Sequence, residues 1–281
     1  MFAIVLTAAM KPTLSHVILS RGKGVTAVTS LGDDVFVVRD DYWSSAVEVY
    51  DARTFTFQRY VKIPELGKKI KVYGLSVYGL TACAHYKIIC LYVSDSSNSS
   101  IHRAELSSSK AVKKWFVTGK PRGLSVNKAL NVVVACYGAN KLLEYTTRGD
   151  LVREISLQAG VTLPWHAVQL STGDYVVSQN TPSGKVSVVG VDGQVLRSSD
   201  VTDMSYPRSL AVTKYDDILV ADTNNNRILS MNSSLSSVEH LSLPVDHGLQ
   251  QPSGLYLSRG RLYVGEGSGK YRVLVFNNAK L

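Results

Sequence analysis

The chain has 281 residues, 45% of them hydrophobic and 19% charged, which is too apolar for a disordered chain and long enough to bury a large core. Lysine and arginine number 31 against 22 acidic residues, a formal charge of +9 that favours anionic partners without selecting one. No apolar run reaches the roughly 18 residues of a membrane-spanning helix, so no membrane role is expected.

In chain order, Met1 to Met10 is apolar but no basic residue precedes the apolar run. Residues 1–13 are therefore expected to be a loose tail rather than a signal segment. Ser15-His-Val-Ile-Leu-Ser alternates as a strand. Gly24-Val-Thr-Ala-Val, Val35-Phe-Val-Val and Val47-Glu-Val-Tyr then form a first unit of short strands. Lys68-Lys-Ile-Lys-Val lengthens the join to a second unit, which opens at Gly79-Leu-Thr-Ala and continues with Ile89-Cys-Leu-Tyr-Val to Asp95. Four more units open at Pro121-Arg-Gly-Leu-Ser-Val, Pro164-Trp-His-Ala-Val, Pro207-Arg-Ser-Leu-Ala-Val and Pro252-Ser-Gly-Leu-Tyr-Leu. Their prolines recur with a period of about 43–45 residues, the range of propeller blades built from several short strands.

The unit from Pro207 is the clearest. Ser209 to Val212 reads as an inner strand, Lys214-Tyr-Asp-Asp as a tight turn and Ile218-Leu-Val-Ala as a second strand buried on both faces. Asp222-Thr-Asn-Asn-Asn-Arg is a polar loop whose asparagines tolerate left-handed backbone. Ile228-Leu-Ser-Met and Val238-Glu-His-Leu complete four antiparallel strands. The last unit ends one strand short, after Arg272-Val-Leu-Val-Phe, and the strand from Ser15 can supply the missing one and close the ring. The fold class expected is all-β: one six-bladed β-propeller with four-stranded antiparallel blades, covering residues 14–281.

Pro207-Arg-Ser-Leu-Ala-Val, Ile218-Leu-Val-Ala-Asp-Thr-Asn-Asn-Asn-Arg-Ile and the similar run from Pro121 through Val132-Val-Val-Ala to Asn140-Lys-Leu resemble the NHL repeat. The resemblance covers the last four units well and the first two weakly. It implies a six-bladed, TolB-like propeller and leaves function open. The group that looks most similar is the C-terminal propeller of the tripartite-motif NHL proteins. Their RING, B-box and coiled-coil segments have no counterpart here, so nothing in this chain could support ubiquitin ligation.

An enzyme of the six-bladed group, a metal-dependent lyase or hydrolase, would gather ligands from several inner strands in the central channel. Only His166 falls at such a place; the matching positions are Gly123, Ser209 and Gly254. A channel-lining histidine held by hydrogen bonds is the preferred reading of His166, and no catalytic residue, metal or cofactor is expected. Asp40, Asp95 and Asp222 recur at the end of the second strand, where a side chain shapes the loop by accepting backbone hydrogen bonds. Gly265-Glu-Gly-Ser-Gly reads as a tight turn rather than a phosphate loop.

In the family, recognition uses the face built from the loop before each inner strand and the loop between second and third strands. By repeat position this face collects Lys120, Arg122, Lys141, Lys185, Arg208 and Arg227 around an exposed Trp165, with His166 at the channel mouth. Cations suit phosphates and an indole can stack a base, so single-stranded RNA is one candidate partner. Alternatively the arginines pair locally, which is the favoured reading for Arg227, and Trp165 caps the channel. A protein is the other candidate partner, with Tyr42 and Trp43 as exposed aromatic anchors. The chain is expected to act as a non-catalytic binding scaffold and to be monomeric. Cys83, Cys90 and Cys136 lie in β-like stretches and read as buried thiols, which points to the cytoplasm. The sequons at Asn98 and Asn232 are of a kind common by chance.

Overall fold

The computed structural model describes residues 12–19, 23–39, 46–63, 77–85, 88–106, 112–245 and 248–277. The loose-tail reading of the first residues, Asp40, Tyr42, Trp43 and the lysines at 68, 69 and 71 lie outside them.

Six four-stranded antiparallel sheets form the molecule. Blade 1 is β2 (Val25–Leu31), β3 (Asp34–Arg39), β4 (Ala46–Asp51) and β5 (Phe57–Lys62). Blade 2 is β6 (Val77–His85), β7 (Ile88–Asp95), β8 (Ser100–Glu105) and β9 (Val112–Phe116). Blade 3 is β10 (Lys120–Val126), β11 (Val132–Tyr137), β12 (Lys141–Tyr145) and β13 (Leu151–Ser156). Blade 4 is β14 (Pro164–Gln169), β15 (Tyr175–Gln179), β16 (Lys185–Val189) and β17 (Val195–Ser198). Blade 5 is β18 (Pro207–Val212), β19 (Ile218–Asp222), β20 (Arg227–Met231) and β21 (Val238–His240). Blade 6 is β22 (Pro252–Ser258), β23 (Arg261–Glu266) and β24 (Val273–Asn277), completed by β1 (Thr13–Ile18).

The first strands of successive blades touch in ring order, and β2 meets β22, so the ring closes around a central channel. β1 adds to β24 with Val17 opposite Leu274 and Ile18 opposite Val273. The N-terminal strand thus covers the edge that blade 6 would expose, as its alternation predicts. Blade 5 follows the sequence reading strand for strand; its polar loop is a single 3-10 turn, Thr223–Asn225, ended by Asn226 in the left-handed region. Only Ile18 of β1 is fully buried, whereas β11, β15, β19 and β23 are buried almost throughout, so the apolar core lies between blades and their second strands supply most of it.

Hydroxyls join neighbouring blades near the channel. Ser125 Oγ donates to the Ala167 carbonyl (2.7 Å), Thr223 Oγ1 to the Pro252 carbonyl (2.8 Å) and Ser253 Oγ to the Val25 carbonyl. Each gives a backbone acceptor of the adjacent blade a hydroxyl donor.

Candidate binding face at the channel mouth

Strand direction alone sets the face. An inner strand runs away from the entry loop, the second returns, and the loop to the third strand therefore lies beside the entry loop. All six inner strands carry a register irregularity at this end, between Pro121 and Leu124, Pro164 and His166, Pro207 and Leu210, Pro252 and Gly254, Val25 and Ala27, and Val77 and Leu80. Such bulges twist the strand and re-aim the side chain next to them. Before three of the prolines the chain kinks through a left-handed non-glycine residue, with φ 49° at Leu163, 52° at Tyr206 and 46° at Gln251. The bulge, joined by the kink in those three blades, delivers the residue after the opening position to the mouth: Thr26, Arg122, Trp165, Arg208 and Ser253.

Blades 3 to 5 turn these positions into one stack. The Arg122 guanidinium lies 4.8 Å from the Trp165 ring centroid and 4.8 Å from that of Tyr137. Arg208, from the blade on the other side, lies 5.1 Å from the Trp165 ring. Tyr137 meets Trp165 edge-on at 6.2 Å. The arginine main chains are pinned as well. Ser94 Oγ donates to the Arg122 carbonyl (2.7 Å), and Ser178 Oγ donates to the Arg208 carbonyl (2.6 Å). Guanidinium–ring contact orients the cation over the ring face.

Trp165 is not the exposed indole expected from its repeat position: it is only 7% exposed, because arginines from both flanking blades lie over it. Below it a channel cavity of about 230 Å³ is lined by Trp165, His166, Thr26, Thr81, Ser125 and Leu255, among others. His166 joins three blades. Its Nδ1 accepts the Leu210 N–H (2.9 Å) and its Nε2 lies 3.1 Å from the Leu124 carbonyl, which fixes a neutral Nε2–H tautomer. Burial lowers its pKa from 6.5 to about 4, the two backbone contacts opposing. Its ring fits because the neighbouring position is Gly123, where a Cβ would collide with it.

The remaining cations divide into two groups. Arg227 Nε contacts the buried Asp222 carboxylate at 2.7 Å and its Nη2 contacts Asp203 at 2.9 Å. Asp203 holds the Arg227 pKa up, and Arg227 in turn holds the Asp203 carboxyl down. This ion pair closes the corner between β19 and β20. Glu266 with Arg272 (2.8 Å) does the same in blade 6, and Arg39 with Glu48 (2.7 Å) ties β3 to β4 in blade 1. Lys141 Nζ reaches Glu154 at 2.6 Å along the blade. Lys120 and Lys185, by contrast, are exposed at the rim of the mouth. Asp95 and Asp222 accept the Asn98 and Ser205 N–H groups, so their side chains shape loops. Tyr137 escaped the sequence reading. The signal for it is register: as the end of the second strand it pairs with Lys120, beside Arg122.

Six blades of this topology define a six-bladed β-propeller. The NHL repeat model matches residues 204–229, from the entry of blade 5 into its third strand, and the match and the architecture together support an NHL-type propeller. Among solved structures the chain is similar to a streptogramin B lyase, with a TM-score of 0.68 and 12% identity over 97% of this chain and 91% of that one. It is similar to virginiamycin B lyase from Staphylococcus aureus, at 0.67 and 13% over 95% and 89%. The WD40 propeller domain of Doa1 gives 0.64 and 13% over 96% and 97%. At such identities the likeness is one of fold. No curated protein matches the sequence.

Proposed function

We propose that this chain is a non-catalytic recognition propeller that binds an anionic macromolecule through the channel-mouth face. The observation that carries the reading is the Arg122–Trp165–Arg208 stack, which sets two guanidiniums at the mouth between the exposed Lys120 and Lys185. An acidic protein surface is favoured over single-stranded RNA. A reader of bases needs an open aromatic face, and arginines already lie over the Trp165 ring. The likeness to tripartite-motif propellers, a cytoplasmic location and a monomeric chain belong to the same reading.

The alternative, a metal-dependent lyase or hydrolase working in the channel, draws on fold likeness to the lyases. His166 is the ligand it would use, and both its ring nitrogens are engaged. Among the described residues no three His, Cys, Asp or Glu side chains group as a metal site would require.

The test is binding of the full chain and an Arg122→Glu/Arg208→Glu variant to an array of acidic peptides and to a randomised single-stranded RNA pool, each at two salt concentrations. Peptide binding by the parent chain that the variant loses is the expected result. Enriched RNA sequences lost by the variant would move the reading to RNA. Equal binding by both proteins would overturn the role of this face.

A further inference from the structure

Two of the three cysteines lie at opposed positions of neighbouring strands in blade 2. β6 and β7 pair without a register break from Leu80 opposite Val93 to His85 opposite Ile88, and within that run Cys83 stands directly opposite Cys90. Residues opposed in an antiparallel pair have Cα atoms about 4.5 or 5.5 Å apart, depending on whether they share ladder hydrogen bonds. Both separations fall inside the roughly 4.4–6.8 Å window that a disulfide accepts. The third cysteine is placed differently. Cys136, on β11, faces Pro121 on one side and Lys141 on the other across the ladder.

We propose that Cys83 and Cys90 are a reversible dithiol–disulfide site, a cross-strand link between the two inner strands of blade 2 that closes by exchange with a small-molecule disulfide such as oxidised glutathione. One protein thiolate attacks the glutathione disulfide, forming a mixed disulfide and releasing one glutathione thiolate. The second protein thiol loses its proton and attacks the protein-bound sulfur, releasing the other glutathione. Two protein thiols are oxidised by two electrons and one glutathione disulfide is reduced to two thiols.

The surroundings govern rate and selectivity. Cys90 is buried against Tyr92, Ile101 and Val134, in the seam between blades 2 and 3. Burial pushes its thiol above the ordinary value, while the nearby Arg103 works the other way. Burial pushes the Cys136 thiol up to about 12. Exchange therefore quickens as pH rises, since the thiolate is the attacking species, and Cys136 is a built-in control for a buried thiol without an opposed partner.

The experiment equilibrates the purified full chain in glutathione buffers running from fully reduced to fully oxidised, quenches with acid, and reads intact mass and a non-reducing peptide map. The expected result is loss of the mass of two hydrogens, a single linked peptide pair joining Cys83 to Cys90, and reversal by reductant. A Cys136→Ser variant should behave identically, and Cys83→Ser or Cys90→Ser should abolish the change. An unchanged mass at the oxidising end, glutathione adducts as the end product, or a link that includes Cys136 would each overturn the proposal. The parent chain alone decides it, so a serine variant that folds poorly does not obscure the answer.

Discussion

The half of the channel mouth built by blades 3 to 5 and the half built by blades 6 and 1 share one backbone plan and carry opposite chemistry. In the first, the residue after the opening position is Arg122, Trp165 and Arg208, long side chains that stack on one another above the channel. In the second it is Ser253 and Thr26, whose hydroxyls turn back to the Val25 and Val38 carbonyls. The same bulged position therefore carries stacked cations and an indole on one side and hydroxyls bound to backbone carbonyls on the other. The position after it has no such freedom. It is Ala27, Gly79, Gly123, Ser209 and Gly254 in five blades, because neighbouring inner strands approach there, and His166 is the exception that Gly123 permits.

The sharpest way to break this contrast is to load the tight position on each side. A Cβ at Gly123 would fall against the His166 ring and 2.7 Å from the Trp165 carbonyl oxygen. At Gly254 the nearest atoms, on Ala27 and Val28, stand at 3.3 Å. Urea unfolding should show Gly123→Ala losing about 3 kcal/mol or more and Gly254→Ala about 1 kcal/mol. Equal losses would mean that the two halves are packed alike.

Next in size is a pH effect confined to the blade 3–5 half. His166 is neutral in the fold, with its pKa lowered from 6.5 to about 4 by burial. The unfolded chain takes up the proton first as pH falls. The contribution is therefore complete above about pH 6.5 and is lost progressively down to about pH 4, amounting to about 3 kcal/mol. Denaturant midpoints across that window should show the loss in the parent chain. His166→Gln, less stable at pH 7, should lose that part of the slope. A slope that survives the substitution would assign the titration elsewhere.

Much of this was legible in the sequence because blades repeat. The period, the four strands of blade 5 and the use of the N-terminal strand to close blade 6 all follow from alternation and turn chemistry. What stayed hidden depends on which side chains meet across blades. Repeat position sends Trp165 to the mouth but says nothing of Arg122 and Arg208 closing over it from either side. Arg227, for which the sequence favours a local partner, closes a buried corner with Asp222, whereas Arg208, left open by its repeat position, lies over an indole. The Cys83–Cys90 opposition depends on the register of β6 against β7, and a shift of one residue would separate the two.

The smallest expected effects separate cations that the sequence cannot tell apart. Retention on a heparin column reports the charge a face presents to a polyanion. Arg122→Gln and Arg208→Gln should each elute at clearly lower salt than the parent chain, whereas Thr26→Val and Ser253→Ala should elute with it. Lys185→Ala should shift elution slightly, since an exposed lysine contributes little more than one screened charge. Lys141→Ala should shift it less still, because its ammonium is already held 2.6 Å from Glu154, and removing it frees that carboxylate on the outer side of the blade rather than at the mouth. If Lys141 mattered as much as Arg122, the polyanion would be reading the whole rim, and the stacked arginines would be packing rather than a recognition element.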